Sequence, residues 1–398
     1  MKNRRFIIFT LGVLAAIGPF SIDMYLPAFT SMAAHLNTTI PHIQLSLTSY
    51  FIGISAGQLV FGPLIDRFGR IIPLYIGLGL FLITTLACAF APSADALIVL
   101  RFFQALGSCA GMVISRAMVR DLFPVEENAK IFSLLMLVIG VSPILAPSLG
   151  GYLTTAFGWR SIFFFLTALA AITLWICYKY LYESKAGDKA MSLRPKQVMG
   201  NFSSVLKNKE FLFYAGAGGV SSAGMFAYIS GSTFVFVELF GLNETEFGWL
   251  FAFNAAGLIL SSQLNSLVLN RLSSENILQK ASIAQIVFAA AMIMIAFAGE
   301  LTLIPLVLLL FLYMCTQGFY SPNTSALALA PFTKRTGIAA ALMGSFRMLI
   351  SAVASLAVSV LHNNTSIPML TLVLICAVCS AALVWTAKYF ATSSLEEQ

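Results

Sequence analysis

The chain has 398 residues, of which 59% are hydrophobic and only 10% charged, and its formal net charge is +7. Soluble domains carry about 25% charged residues. Composition therefore excludes an ordinary soluble fold in favour of one dissolved in lipid, as the mean hydropathy of +0.89 also says. The bases sit in short segments between apolar runs, where positive charge sets membrane topology, and this removes nucleic acid as a partner.

In chain order, Lys2, Arg4 and Arg5 precede an apolar run from Phe6, as in a secretory signal. That run continues to about Pro27 and contains Asp23, so it reads as a retained first span. Further runs of the length that crosses a bilayer as helix follow. The spans are expected at roughly 6–27, 43–65, 72–91, 96–119, 130–153, 161–182, 210–238, 246–269, 277–298, 302–322, 337–360 and 367–388. The expected fold is an all-α integral membrane protein with about twelve transmembrane helices in two six-helix halves. Residues 1–183 form the N-terminal half, 184–209 a cytoplasmic linker and 210–398 the C-terminal half. A short echo joins the halves: Leu64-Ile65-Asp66-Arg67-Phe68 after the second span and Leu269-Asn270-Arg271-Leu272 after the eighth. Internal duplication is common in secondary transporters.

Orientation follows from the bases. With the N-terminus inside, the inner segments hold Lys2, Arg4, Arg5, Arg67, Arg70, Arg120, Lys130, Arg271, Lys334, Arg335 and Lys388. To these the linker adds Lys185, Lys189, Arg194, Lys196, Lys207 and Lys209, whereas the outer segments hold only Arg160. Both termini are expected in the cytoplasm of a bacterial inner membrane. The six cysteines all fall in apolar spans, where they act as small apolar residues, and the Cys376–Cys379 spacing has no His nearby to suggest a metal. No Walker-type phosphate loop occurs and the three His residues are scattered. Neither a cofactor nor a metal is expected, and no cluster of polar catalytic residues suggests an enzyme.

The sharpest motif is Gly62-Pro63-Leu64-Ile65-Asp66-Arg67-Phe68-Gly69-Arg70, at the inner end of the second span. A tight turn between antiparallel helices needs glycine where φ is positive or backbones close. The Asp and Arg residues can pair, and Asp66 can cap the next helix. The segment resembles motif A of the major facilitator superfamily, with Ile71 where a second base is common. The resemblance implies a cytoplasmic gate of Gly62, Asp66, Arg67, Gly69 and Arg70. Arg101-Phe102-Phe103-Gln104-Ala105-Leu106-Gly107 resembles the R-x-x-Q-G-x-G pattern of that family's fourth span. The run Gly140 to Gly151 resembles the antiporter motif of its fifth, through Gly140, Pro143, Pro147, Gly150 and Gly151, with Ala146 replacing a glycine. Ser21-Ile22-Asp23-Met24-Tyr25-Leu26-Pro27-Ala28 and Arg116 to Phe123 narrow the likeness to the bicyclomycin-resistance subfamily of drug:proton antiporters. That resemblance implies a twelve-helix bundle in which the first, fourth, seventh and tenth helices line a central cavity.

Asp23 is one of only 16 acidic residues and lies inside an apolar span, about one turn from the outer surface counting from Pro27. Intramembrane ionisable groups are costly and mark pathways; the plain alternative is a helix end that reaches water. Arg101 is expected at similar depth, where it can approach Asp23 as a coupling pair; the alternative is a structural bond to Gln104 or to carbonyls. Arg116, Arg120 and Asp121 are expected as gate and loop partners of Asp66, with a plain positive-inside anchor as the equal alternative, and Arg347 as an interior tie or substrate contact. Tyr25, Tyr50, Gln104, Tyr228, Tyr313 and Tyr320 are candidate cavity residues for a small amphipathic substrate. The expected function is proton-coupled export of small amphipathic compounds of the bicyclomycin or chloramphenicol kind. Its partners are the substrate, protons and the bilayer; a monomer suffices for it. A proton-coupled uptake symporter, or a non-transport membrane sensor or enzyme, are the alternatives.

Overall fold

The computed structural model describes residues 4–188, 195–332 and 336–396. Lys2, Lys189, Arg194, Lys334 and Arg335, counted above toward topology, lie outside the described residues. The first span is broken. Helix α1 (Arg4–Asp23) ends in a turn, a 3-10 segment covers Leu26–Ala28, and α2 (Phe29–His35) resumes. The proline explains the interruption, because Pro27 has no N–H to continue the ladder to the Asp23 carbonyl. The first span thus reaches His35, well past the expected end at Pro27. The other spans of the first half are α3 (Ile40–Phe68), α4 (Ile71–Ala89), α5 (Ala94–Leu122), α6 (Val125–Phe157) and α7 (Arg160–Tyr180). Local chemistry sets several boundaries. The Thr39 and Ser93 hydroxyls accept from the His42 and Ala96 amides and so cap α3 and α5. Gly69, with φ of +83°, ends α3 in a conformation that other residues rarely adopt.

A helix not expected from the sequence, α8 (Pro195–Leu206), lies in the linker. The second half continues with α9 (Lys209–Thr233), which passes into a π-helical turn at Phe234–Leu239. It is followed by α10 (Glu244–Val268), α11 (Ser274–Phe297), α12 (Leu303–Leu329), α13 (Thr336–Val360) and α14 (Ile367–Glu396). Helix α12 runs seven residues beyond the expected end near 322. In its polar stretch Asn323, Thr324 and Ser325 satisfy their side chains within the helix by donating to the carbonyls of Phe319, Tyr320 and Ser321. Among the described residues twelve stretches are long and apolar enough to cross a membrane, and there is no strand.

The helices group into two compact units. Unit 1 comprises Met1–Val198 with Glu244–Trp249, and unit 2 Met199–Asn243 with Leu250–Gln398. The pairing inside unit 1 recurs inside unit 2. In unit 1, α1 packs on α5, α6 and α7, and α4 packs on α5 and α7. In unit 2, α9 packs on α12, α13 and α14, and α11 packs on α12 and α14. First-on-fourth, first-on-fifth, first-on-sixth, third-on-fourth and third-on-sixth contacts therefore appear twice, the structural counterpart of the faint sequence echo. Large apolar side chains such as Ile76, Ile83, Phe157, Phe297 and Val360 remain more than half exposed, as lipid-facing surface requires.

Candidate functional site

The break in the first span organises the first candidate site. Where α1 ends, its last carbonyls lose their helical donors. One of them, the Ser21 carbonyl, accepts from Nη2 of Arg101 at 2.9 Å. Arg101 projects from α5 and is fully buried. Its Nη1 donates to Gln104 Oε1 at 2.5 Å, and Gln104 Nε2 donates to Thr85 Oγ1 at 2.8 Å. The rings of Tyr25 and Tyr50 lie over the guanidinium with centroids 4.0 and 4.1 Å away. Each such contact is worth about 2 kcal/mol once desolvated. The negative end of the α1 dipole supplies a further favourable field. Two aromatic faces, a helix terminus and an amide thus hold this cation in the interior, and among the described residues no carboxylate pairs with it.

Asp23 is the final residue of α1 and is 5% exposed. The expected approach of Asp23 to Arg101 is not made: among the described residues no ion pair joins them, and the guanidinium is occupied as described. The alternative held open for Arg101, bonds to Gln104 and to a carbonyl, is the one observed. Asp23 also lies deeper than one turn from the end of its span, because His35 is twelve residues further on.

The fifth-span motif meets the same break. A side chain on Gly150 of α6 would run into the Met24 carbonyl, next in sequence to Asp23. Gly150 therefore lets α6 approach the backbone of the broken helix, as small residues do in membranes. Gly140, Pro143, Pro147 and Gly151 lie within α6, which stays helical through both prolines. Gly107 of α5 is packed in the same sense, because a Cβ there would sit 2.5 Å from the Phe81 amide.

At the opposite end of α3 the expected gate residues are partly rearranged. Arg70, rather than Asp66, is the hub. Its Nε donates to Asp121 at 2.8 Å, and its Nη1 to Asp66 at 3.2 Å and to the Ile65 carbonyl at 2.6 Å. Burial works against the Arg70 charge, but Asp121 and then Asp66 outweigh it and hold its pKa above the ordinary arginine value. Asp66 does not cap α4 as expected. Glu183 does, accepting from the Arg70 and Ile71 amides at 2.6 and 3.2 Å. Gly62 is not in the turn either; it is helical, with nothing within 4 Å of where a Cβ would stand. Arg116 and Arg120 are exposed on α5, and of the three expected partners only Asp121 joins the cluster.

Glu183 belongs to a strap missed in the sequence. Ser184 donates to Asp121 at 3.0 Å, and the Asp188 amide to the Asp66 carbonyl at 2.9 Å. A side chain at Gly187 would meet the Gly69 amide. Residues 183–188 thus lie against the turn that Arg70 closes. Glu183 and Arg70 are 113 positions apart, and no local pattern announces such a pairing.

In unit 2 the candidate cavity residues Tyr228, Tyr313 and Tyr320 are fully buried, as are Tyr25, Tyr50 and Gln104 in unit 1. None of the six presents surface to open space. The Tyr228 hydroxyl accepts from Asn254 at 2.9 Å, and that of Tyr320 meets Ser380 at 2.5 Å. Beside them lies a second unexpected cluster. Gln285 Nε2 donates to Ser221 Oγ at 2.9 Å, and Gln317 Nε2 to the Ser221 carbonyl at 2.6 Å. Glutamines inside apolar runs were the available signal. Arg347 is half-buried and donates from Nη1 to Ser321 at 2.9 Å.

With this geometry in place, comparison with known proteins is informative. The sequence profile of the Major Facilitator Superfamily matches residues 11–355. An uncharacterised MFS-type transporter of Bacillus subtilis is 35% identical over 382 residues, covering 95% of this chain and 94% of that protein. A bicyclomycin resistance protein homolog of Haemophilus influenzae is 30% identical over 392 residues, covering 98% and 97%. Among solved structures, a bacterial homolog of the human lysosomal transporter Spinster superposes with a TM-score of 0.76 at 14% identity, covering 98% of this chain and 97% of that one.

Proposed function

Because the chain belongs to the Major Facilitator Superfamily, and is a membrane transporter of small molecules on that account, we propose that it exports small amphipathic compounds of the bicyclomycin or chloramphenicol kind in exchange for protons. The observation that carries this reading is Asp23, a carboxylate 5% exposed at a helix break, with no ion pair recorded among the described residues. A carboxylate deep in a membrane protein is costly as an ion and usually serves a pathway. Asp23 gives up its proton where water reaches it and takes one up again on the opposite side. Arg101, held by Ser21, Gln104 and two tyrosine rings, fixes the broken helix end. The deep charges of unit 1 include one acid against Arg101, which favours a neutral substrate over a cation. The Asp66–Arg70–Asp121 cluster acts as the gate on the cytoplasmic side, where both termini lie. The relative from Haemophilus influenzae, named for bicyclomycin resistance, supports the direction and the class of substrate.

The test is substrate-induced proton release from purified protein across a pH series, paired with a drug-susceptibility panel on cells with and without the protein. Asp23→Asn should bind a neutral substrate yet release no proton. A variant that releases protons like the parent transfers the role to another acid, Glu238 first.

A further inference from the structure

Outside the sites above, one cavity is lined by α1 and α6 near the start of the chain, with a volume of about 310 Å³. Its α1 side is the stripe Arg5, Ile8, Phe9 and Gly12, positions that share one helix face. Its α6 side includes Leu134 and Val138, which are 42% and 39% exposed. Gly12 closes one end: a Cβ there would stand 3.3 Å from Val138 Cγ2, so the two helices nearly touch. Arg5 stands at the other end. Seven residues of helix separate them, about 10 Å of rise, or two-thirds of the ~15 Å hydrocarbon depth of one leaflet.

The two arginines at this mouth differ. Arg4 is neutralised by an ion pair to Glu127 of α6, and it lies over the Phe123 ring at 5.5 Å. Arg5, next to it, has no acidic partner among the described residues and is exposed. An apolar slot spanning about two-thirds of a leaflet, with a guanidinium at its mouth that has no acidic partner among the described residues, is complementary to an anion carrying an alkyl chain.

We propose that the α1–α6 groove is a binding site for an anionic phospholipid, its acyl chain along Ile8, Phe9, Leu134 and Val138 and its phosphate on Arg5. Guanidinium and phosphate pair through two parallel N–H donors. The neighbouring Arg4–Glu127 pair ties α1 to α6 and keeps the groove at fixed width. The bound lipid is separate from the Asp23 and Asp66 sites, so it acts as a structural filler between the first and fifth spans.

Native mass spectrometry of the purified full-length protein, exposed to dioleoyl-phosphatidylglycerol or dioleoyl-phosphatidylcholine, tests the assignment. The phosphatidylglycerol adduct should be retained about five-fold more than the choline lipid, the effect of one surface cation on an anionic headgroup. Arg5→Gln should erase the preference, and Arg5→Lys should keep most of it. Val138→Phe, which fills the slot, should reduce both adducts. Equal retention of the two lipids by the parent, or a preference that survives Arg5→Gln, would overturn the proposal.

Discussion

Units 1 and 2 share five helix pairings yet bury different chemistry. The buried polar side chains of unit 1 include one acid and two bases, Asp23, Arg70 and Arg101. Those of unit 2 are, among the described residues, all neutral: serines, threonines, asparagines and glutamines such as Ser221, Gln285, Gln317 and Asn323. A satisfied neutral hydrogen bond is worth about 1 kcal/mol net, whereas a buried ion carries a desolvation cost of several kcal/mol. Apolar packing alone can build the repeated architecture, and neutral polar bonds can pin it. Among the described residues the fully buried carboxylate and guanidinium groups lie in unit 1, where the proposed proton carrier sits, whereas Arg347 of unit 2 is half-buried.

The largest effects should come from breaking that asymmetry at Asp23. Asp23→Asn should reduce proton-driven efflux to the level of cells lacking the protein, whereas Gln317→Leu in unit 2 should leave proton release per substrate unchanged. Equal uncoupling by both variants, read as proton release on substrate addition, would abolish the contrast. Gly150→Leu comes next. Its side chain must displace the Met24 backbone, so it should either leak protons or block the cycle, as a pH-sensitive dye in vesicles can report. Normal efflux across a tight gradient would make the close approach incidental.

Asp66→Asn tests the ionic cluster at the other end of α3. It should slow transport about tenfold, a gate contribution near 1.4 kcal/mol, and leave substrate affinity within about two-fold. Full transport by a well-expressed variant would remove Asp66 from the gate. In unit 2, Gln317→Leu strips Ser221 of a donor and should cost about 1–3 kcal/mol, visible as a lower melting temperature. The smallest effect is expected of Glu183→Gln. This exposed cap should contribute under about 1 kcal/mol, measurable as faster hydrogen exchange at the start of α4. An unchanged exchange rate would mean that water replaces the carboxylate there.

The sequence disclosed most of what lipid dictates. Twelve apolar runs, their rough limits and the Gly69 turn were readable because hydropathy and positive φ leave local marks. What escaped was non-local or mixed in character. The extension of the first span to His35 was hidden by Pro27, which ends one helix without ending the crossing. Helix α8 was hidden by its bases, although Pro195 at its start and the spacing of Val198, Phe202 and Val205 suit an amphipathic turn. At the first site, the identities of Asp23 and Arg101 were legible but their relation was not. Matched depth suggested an ion pair, and it could not show that Gln104, the Ser21 carbonyl and two tyrosine rings already engage the guanidinium. Nor could any window of sequence reveal that Glu183 caps a helix beginning at Ile71.

The strap at 183–188 bears on how the molecule could be divided. Six residues that would reach about 20 Å if extended are instead folded onto the Asp66 turn, so they are not slack in the tether between the halves. A gene split after Asp188 would give a first fragment that carries its own latch. A gene split before Glu183 would hand that latch to the second fragment, and the first would have to recover it by assembly in trans.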